Sequence, residues 1–148
     1  MSHQIVTIER VLNAPATKVW KALTDNDEMK QWYFNLKEFK AEKGFTFQFS
    51  GGSSPEKQFL HECVVTEVVP GKKLTYSWRY VGYEGISHVT FELIEQGKKT
   101  LLRLTHTGID SFPKEIPDFA ITNFEAGWNH IVNTALKDYV EKQASPAA

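Results

Sequence analysis

Cysteine occurs once in the 148 residues, at Cys63. A lone cysteine makes no intrachain disulfide, and a chain of this length needs none, because it buries roughly 68–70% of its unfolded surface. A reducing, cytoplasmic setting is expected, with Cys63 a strand residue rather than a nucleophile. Long apolar runs are also missing. Nothing approaches the roughly 20 residues of a membrane helix, and "MSHQIVTIERVLNAP" lacks the basic start and apolar centre of a secretory signal. No membrane insertion is expected. Nor does one sign of charge dominate: 17 basic residues stand against 18 acidic ones, for a net charge of −1. Without a basic cluster, nucleic acid is not an expected partner.

Several chemical signatures are absent as well. There is no His-Glu-x-x-His pattern, and Cys63 has no companion at zinc-ligand spacing. No "GxSxG" elbow supports a nucleophilic triad, and "GGSS" at 51–54 lacks the lysine and helix of a phosphate-binding loop. No metal, cofactor or catalytic residue is expected.

Aromatic residues, in contrast, are plentiful: ten Phe, five Tyr and four Trp. Residues 4–12, "QIVTIERVL", alternate as a strand. Pro15 suits the first turn of a helix in which Val19, Trp20 and Leu23 share a side. Asp25 can cap a second short helix that buries Met29, Trp32 and Tyr33. From residue 45 the period becomes two, and "FTFQFS" sends Phe45, Phe47 and Phe49 to one face. "GGSSPEK" reads as a flexible loop by composition. Two further strands follow, "FLHECVVTEVV" and "LTYSWRYV", and the second sends Leu74, Tyr76, Trp78 and Tyr80 to one face.

The next hairpin offers a test of consistency. "HVTFELIE" and "TLLRLTHT" flank "QGKK", where Gly97 suits a two-residue type II′ turn. If Gln96 opposes Lys99, opposing residues sum to 195. Val89, Phe91, Leu93, Leu102, Leu104 and His106 then share an apolar face, while His88, Thr90, Glu92, Arg103, Thr105 and Thr107 lie on the other. The turn at Pro70 and Gly71 leaves two registers open. A two- or four-residue loop turns His61, Cys63 and Val65 inward, and a three-residue loop turns Leu60, Val64 and Val68 inward.

After the Pro-interrupted connection "IDSFPKEIPDF", residues 123–140 form a helix. Phe124, Trp128, Ile131, Val132, Ala135, Leu136, Tyr139 and Val140 lie along one stripe. Gly127 costs about 1 kcal/mol relative to alanine inside a helix, so close backbone approach or a bend beside Trp128 is expected there.

This order makes an α+β domain over residues 1–143, with a frayed tail at 144–148. One apolar sheet face must be covered, and only the last helix is long enough to cover it. Phe47, Phe49, Tyr76, Trp78, Tyr80, Phe91, Leu104 and His106 from the sheet, with Phe124, Trp128 and Ile131 from the helix, are the candidate ligand-binding residues. Two readings stay open: the rings interdigitate as a dry core, or they leave an apolar cavity. His106 is either a hydrogen-bonded core histidine or a neutral imidazole that orients a guest, as the hydroxyl of Tyr76 or Tyr80 also could.

Four stretches carry a resemblance: "NAPATKVWKALTDNDEMKQWY", "VVPGKKLTYSW", "VTFELIEQGKKTLLRLTHTG" and "NFEAGWNHIVNTALKDYV". In this order they resemble the activator-of-Hsp90-ATPase-like (AHSA1-like) branch of the START-related (SRPBCC, Bet v 1-like) superfamily. The resemblance implies a helix-grip fold, in which a curved six- to seven-stranded antiparallel sheet wraps a long C-terminal helix and two short helices follow strand 1. It also implies a cavity for a hydrophobic small molecule, lipid-like or polycyclic aromatic. An Hsp90-type chaperone partner is the alternative, and a cyclase- or dehydratase-like enzyme using the same cavity is the second. Phe45 and Cys63 stand where relatives commonly carry glycine, and both would narrow that cavity.

Overall fold

The computed structural model describes residues 5–32, 38–54, 57–113, 115–116 and 119–144. The chain runs β1 (Val6–Leu12), α1 (Ala16–Thr24), α2 (Asn26–Trp32), β2 (Thr46–Ser54), β3 (Lys57–Val69), β4 (Lys73–Tyr80), β5 (Ser87–Gln96) and β6 (Lys99–Thr107). A 3-10 turn (Ile109–Ser111) leads to α3 (Ile121–His130), a π-helical stretch (Ile131–Leu136) and α4 (Lys137–Ala144). The six strands form one antiparallel sheet in the order β1-β6-β5-β4-β3-β2. This is the helix-grip α+β fold: a curved sheet, two short helices after β1, and a long C-terminal helix. His3, Tyr33 and residues 145–148 lie outside the described residues.

Pro15 is the N-cap of α1 rather than its first helical residue. Its carbonyl accepts from the N–H groups of Lys18 and Val19. The Asp25 carboxylate accepts from the backbone N–H of Asp27 and of Glu28, at 2.9 and 3.2 Å, as a side-chain cap should. Val19, Leu23, Met29 and Trp32 are buried, and the Trp32 indole N–H donates to the Ala22 carbonyl at 2.9 Å, fastening α2 to α1.

The β5–β6 hairpin has the register that its turn chemistry predicts, from His88 opposite Thr107 to Gln96 opposite Lys99. The β3–β4 hairpin combines both registers left open by its sequence. Three residues, 70–72, separate the strands, so Val68 faces Leu74. One extra residue, Thr66, then stands between the pairs Val65–Tyr76 and Glu67–Thr75. That bulge reverses the phase, and His61, Cys63 and Val65 are buried. Composition misleads at residues 51–54, where the expected loop is strand: β2 continues to Ser54, and Gly51 pairs with Phe59. Cross-strand pairing there overrides the weak strand preference of glycine and serine.

On the final helix the buried positions are Phe124, Trp128, Val132, Leu136 and Val140, each four residues after the last. A step of four overshoots the α-helical turn and rotates the stripe by about 40° each time. The wider π turn between Ile131 and Leu136 takes up the excess, so all five stay against the sheet.

Gly127 lies one turn ahead of the π stretch, and its carbonyl accepts from the Ile131 N–H. It is exposed, and a Cβ built on it meets nothing within 4 Å. The close approach expected from sequence is therefore absent among the described residues. Gly127→Ala should raise the unfolding free energy by about 0.8–1 kcal/mol, read as a higher urea midpoint with an unchanged slope.

Candidate functional site

Three side chains from three elements meet between sheet and helix. The indole N–H of Trp128 on α3 donates to Nδ1 of His106 on β6 at 3.0 Å. An indole nitrogen can only donate, so Nδ1 must be the unprotonated nitrogen and Nε2 carries the proton. Nε2 then donates to Ser87 Oγ on β5 at 2.7 Å, and the Ser87 hydroxyl donates to the Trp78 carbonyl at 3.1 Å. Burial, with a smaller contribution from the charge of His88, holds the His106 pKa down to about 3, so the ring is neutral. Both ring nitrogens are engaged within the protein. The arrangement is that of a hydrogen-bonded core histidine, with an indole and a serine as partners. Ser87 is fully buried; the lack of an elbow motif excludes it as a nucleophile, and nothing in the pattern of its strand marks it as the partner of a histidine.

At the α3 end of the grip lies a box of rings. Phe49 stacks on His61 at 4.5 Å, and His61 meets Trp78 edge-on at 4.9 Å. Tyr80 stacks on Phe119 at 4.2 Å, and Phe112 lies parallel to Phe124 at 6.1 Å. His61 Nδ1 donates to the carbonyls of Phe59 (2.9 Å) and Phe49 (3.2 Å). Burial outweighs those two bonds and lowers its pKa to about 4. Among the described residues, the indole N–H of Trp78 is buried and has no hydrogen-bond partner. Gly85 and Gly108 secure the adjoining connection. A Cβ on Gly85 would lie 2.5 Å from the Ser111 carbonyl oxygen, and Ser111 Oγ bridges the backbone of Ile86 and Gly108.

The structure brings Phe49, Trp78, Tyr80, Phe124 and Trp128 to this end, with His106 behind them. Phe47 stands next to Phe49, stacked at 6.3 Å. Tyr76, Phe91 and Leu104 are sealed in the core next to these rings, with Tyr76 against Phe47 at 5.1 Å and Phe91 against Trp128 at 6.0 Å, and Ile131 is only half-buried. The rings of Trp78 and Trp128 touch, with centroids 5.6 Å apart. A gap between sheet and helix at that point, as the cavity reading supposed, is not what the structure has. Instead, Phe49, Trp78 and Phe124 keep 6, 5 and 7% of their surface exposed, whereas Leu104, Val132 and Leu136 keep none. Phe112 and Phe119 were not foreseen; they sit in a Pro-interrupted connection where no period points to burial. Cys63 is sealed, and burial pushes its thiol pKa well above the usual range.

A family profile, "Activator of Hsp90 ATPase homolog 1-like protein", matches residues 13–141. The chain belongs to this family. The AHSA1-like chain is similar to several solved structures. Protein MLL2253 from Mesorhizobium loti shares 26% identity at a TM-score of 0.76, over 93% of this chain and 97% of that one. DynU16, a putative protein in the dynemicin biosynthetic locus, shares 22% at 0.76 over 95% of this chain, which spans about half (48%) of DynU16. CalU16 from Micromonospora echinospora shares 24% at 0.71, over 94% and 77% of the two chains. Comparison with curated proteins finds no match. Among the described residues, no helix of this AHSA1-like chain is long and apolar enough to cross a membrane. Among the described residues, no three His, Cys, Asp or Glu side chains gather so as to hold a metal ion.

Proposed function

We propose that this protein binds a hydrophobic small molecule, polycyclic aromatic or lipid-like, in the ring box at the α3 end of the grip. The observation that carries this reading is the Trp78 indole N–H, a buried donor with no partner among the described residues, set among rings that each keep a sliver of exposed surface. Buried donors are rarely left unmatched in proteins. A flat guest with one oxygen acceptor matches both the donor and its apolar walls. Phe49, Trp78, Tyr80 and Phe124 supply the walls, joined by His61, Phe112 and Phe119. His106 contributes by fixing Trp128. The unit is residues 1–143, and the setting is the cytoplasm, which suits a single sealed cysteine.

The test compares anthrone with anthracene by quenching of tryptophan fluorescence. Anthrone should bind about fivefold tighter, the worth of one ordinary hydrogen bond. In Trp78→Phe the two should bind alike, with anthracene unchanged. No binding of either compound, or a preference that survives the substitution, would sink the reading.

A second reading, docking on an Hsp90-type chaperone, follows from the family and from one surface. On the outer face of the sheet Val11 and Ile94 are exposed on either side of Leu101, which pairs with both. Stimulation of an Hsp90 ATPase that is lost in Ile94→Asp would transfer the assignment to that surface.

A further inference from the structure

We infer that the free edge of β2 is a self-pairing surface, on which a second copy of this chain adds its own β2 antiparallel to the first. The inference does not depend on the ring box.

The backbone geometry identifies the edge. The Val65 N–H donates to the Phe45 carbonyl. In an antiparallel ladder the bonded pairs alternate, so Phe47 and Phe49 also bond toward β3. Thr46, Gln48 and Ser50 therefore aim their N–H and C=O groups away from it. Among the described residues no strand lies beyond β2 in the sheet. A groove of about 580 Å³ runs along this edge, lined by Glu38, Phe45, Phe47, Phe49 and Leu60 together with the three outward-bonding residues.

Edge strands ordinarily resist pairing through charge, proline or an inward-pointing lysine. The other edge, β1, carries Glu9 and Arg10 in mid-strand. From Gly44 to Ser54, "GFTFQFSGGSS" has neither a charged residue nor a proline. The strand itself therefore carries none of these defences, and Glu38 in the groove wall is the charge that stands beside it.

The occupant that fits is β2 itself. A two-fold axis through Gln48 places Gln48 opposite Gln48 of the second copy, Thr46 opposite Ser50, and Phe47 opposite Phe49. Every opposing pair shares a sheet face, polar with polar outside and ring with ring inside. These are favourable cross-strand pairs, and no like charges meet. The contact is isologous, so it closes at a dimer.

The experiment uses Gln48→Cys. Cys63 is sealed in the core, so the new thiol is the only reactive one. With diamide, Gln48→Cys should give a disulfide-linked dimer, because the axis sets the two thiols across from each other. Thr46→Cys alone should not, while a mixture of Thr46→Cys and Ser50→Cys should form the mixed dimer. In sedimentation, Gln48→Lys should raise the dimer dissociation constant about tenfold or more by placing two ammonium groups at the axis, with the circular dichroism spectrum unchanged. Wild-type protein that stays monomeric at millimolar concentration overturns the inference. So does a dimer indifferent to Gln48→Lys, crosslinking of Thr46→Cys equal to that of Gln48→Cys, or a monomer that takes an unrelated extended peptide on this edge.

Discussion

His106→Ala is expected to lower the unfolding free energy by about 3–5 kcal/mol. Two losses combine. A cavity opens where the fully buried imidazole stood, and the Trp128 indole N–H loses its acceptor in a place water does not reach. His106→Phe separates them, because a phenyl ring fills most of the space and accepts nothing. It should cost about 1–3 kcal/mol, the penalty for one orphaned buried donor with some misfit. Adding Trp128→Phe to His106→Phe removes the orphan itself, so the double variant should be less destabilised than the sum of the singles. Urea unfolding followed by far-ultraviolet circular dichroism measures the wild type and all four variants, Trp128→Phe alone included, without relying on tryptophan emission. Strict additivity would mean that the Trp128–His106 bond carries no coupling.

Mild acid should destabilise the protein by about 4 kcal/mol between pH 7 and pH 5. His61 and His106 are held neutral, at about 4 and about 3, against an ordinary value of 6.5. The unfolded chain therefore takes up protons that the folded chain refuses. The stability they confer is complete above pH 6.5 and drains away as the pH falls toward the folded values. Near pH 5 close to two protons separate the states, a slope of about 2.5 kcal/mol per pH unit. The carboxylates of Glu62 and Glu141 are held below their usual 4.5, so their contribution is lost lower on the scale. That leaves the interval from pH 6.5 to 5 to the two imidazoles. His61→Phe should halve the slope there. A wild-type profile flat across this interval would show that the rings are protonated in the folded state.

Much of the architecture is legible in the chain. The β5–β6 register could be read because its glycine turn and its apolar alternation are independent signals that agree. β3 could not, because Thr66 looks like any other strand residue and nothing local marks an unpaired position. Gly51 and Gly52 suggested a loop because composition reports preference, whereas the ladder with β3 supplies the deciding energy. The ring box was half visible. Phe49, Trp78, Tyr80, Phe124 and Trp128 advertise themselves by period, while Phe112 and Phe119 come from a segment with none. The Trp78–Trp128 contact is a distance, and distances between rings on different elements are absent from any pattern along the chain.

Thr66 has a consequence for the shape of the molecule. A bulge bends its strand and steepens its twist, so the stretch of β3 ahead of it, with β2 alongside, leans away from the plane of the other strands. The same extra residue that swings His61 to the inside thus also curves the part of the sheet that β2 and β3 form, so one hydroxylated residue sets both the facing of a strand and the posture of the grip.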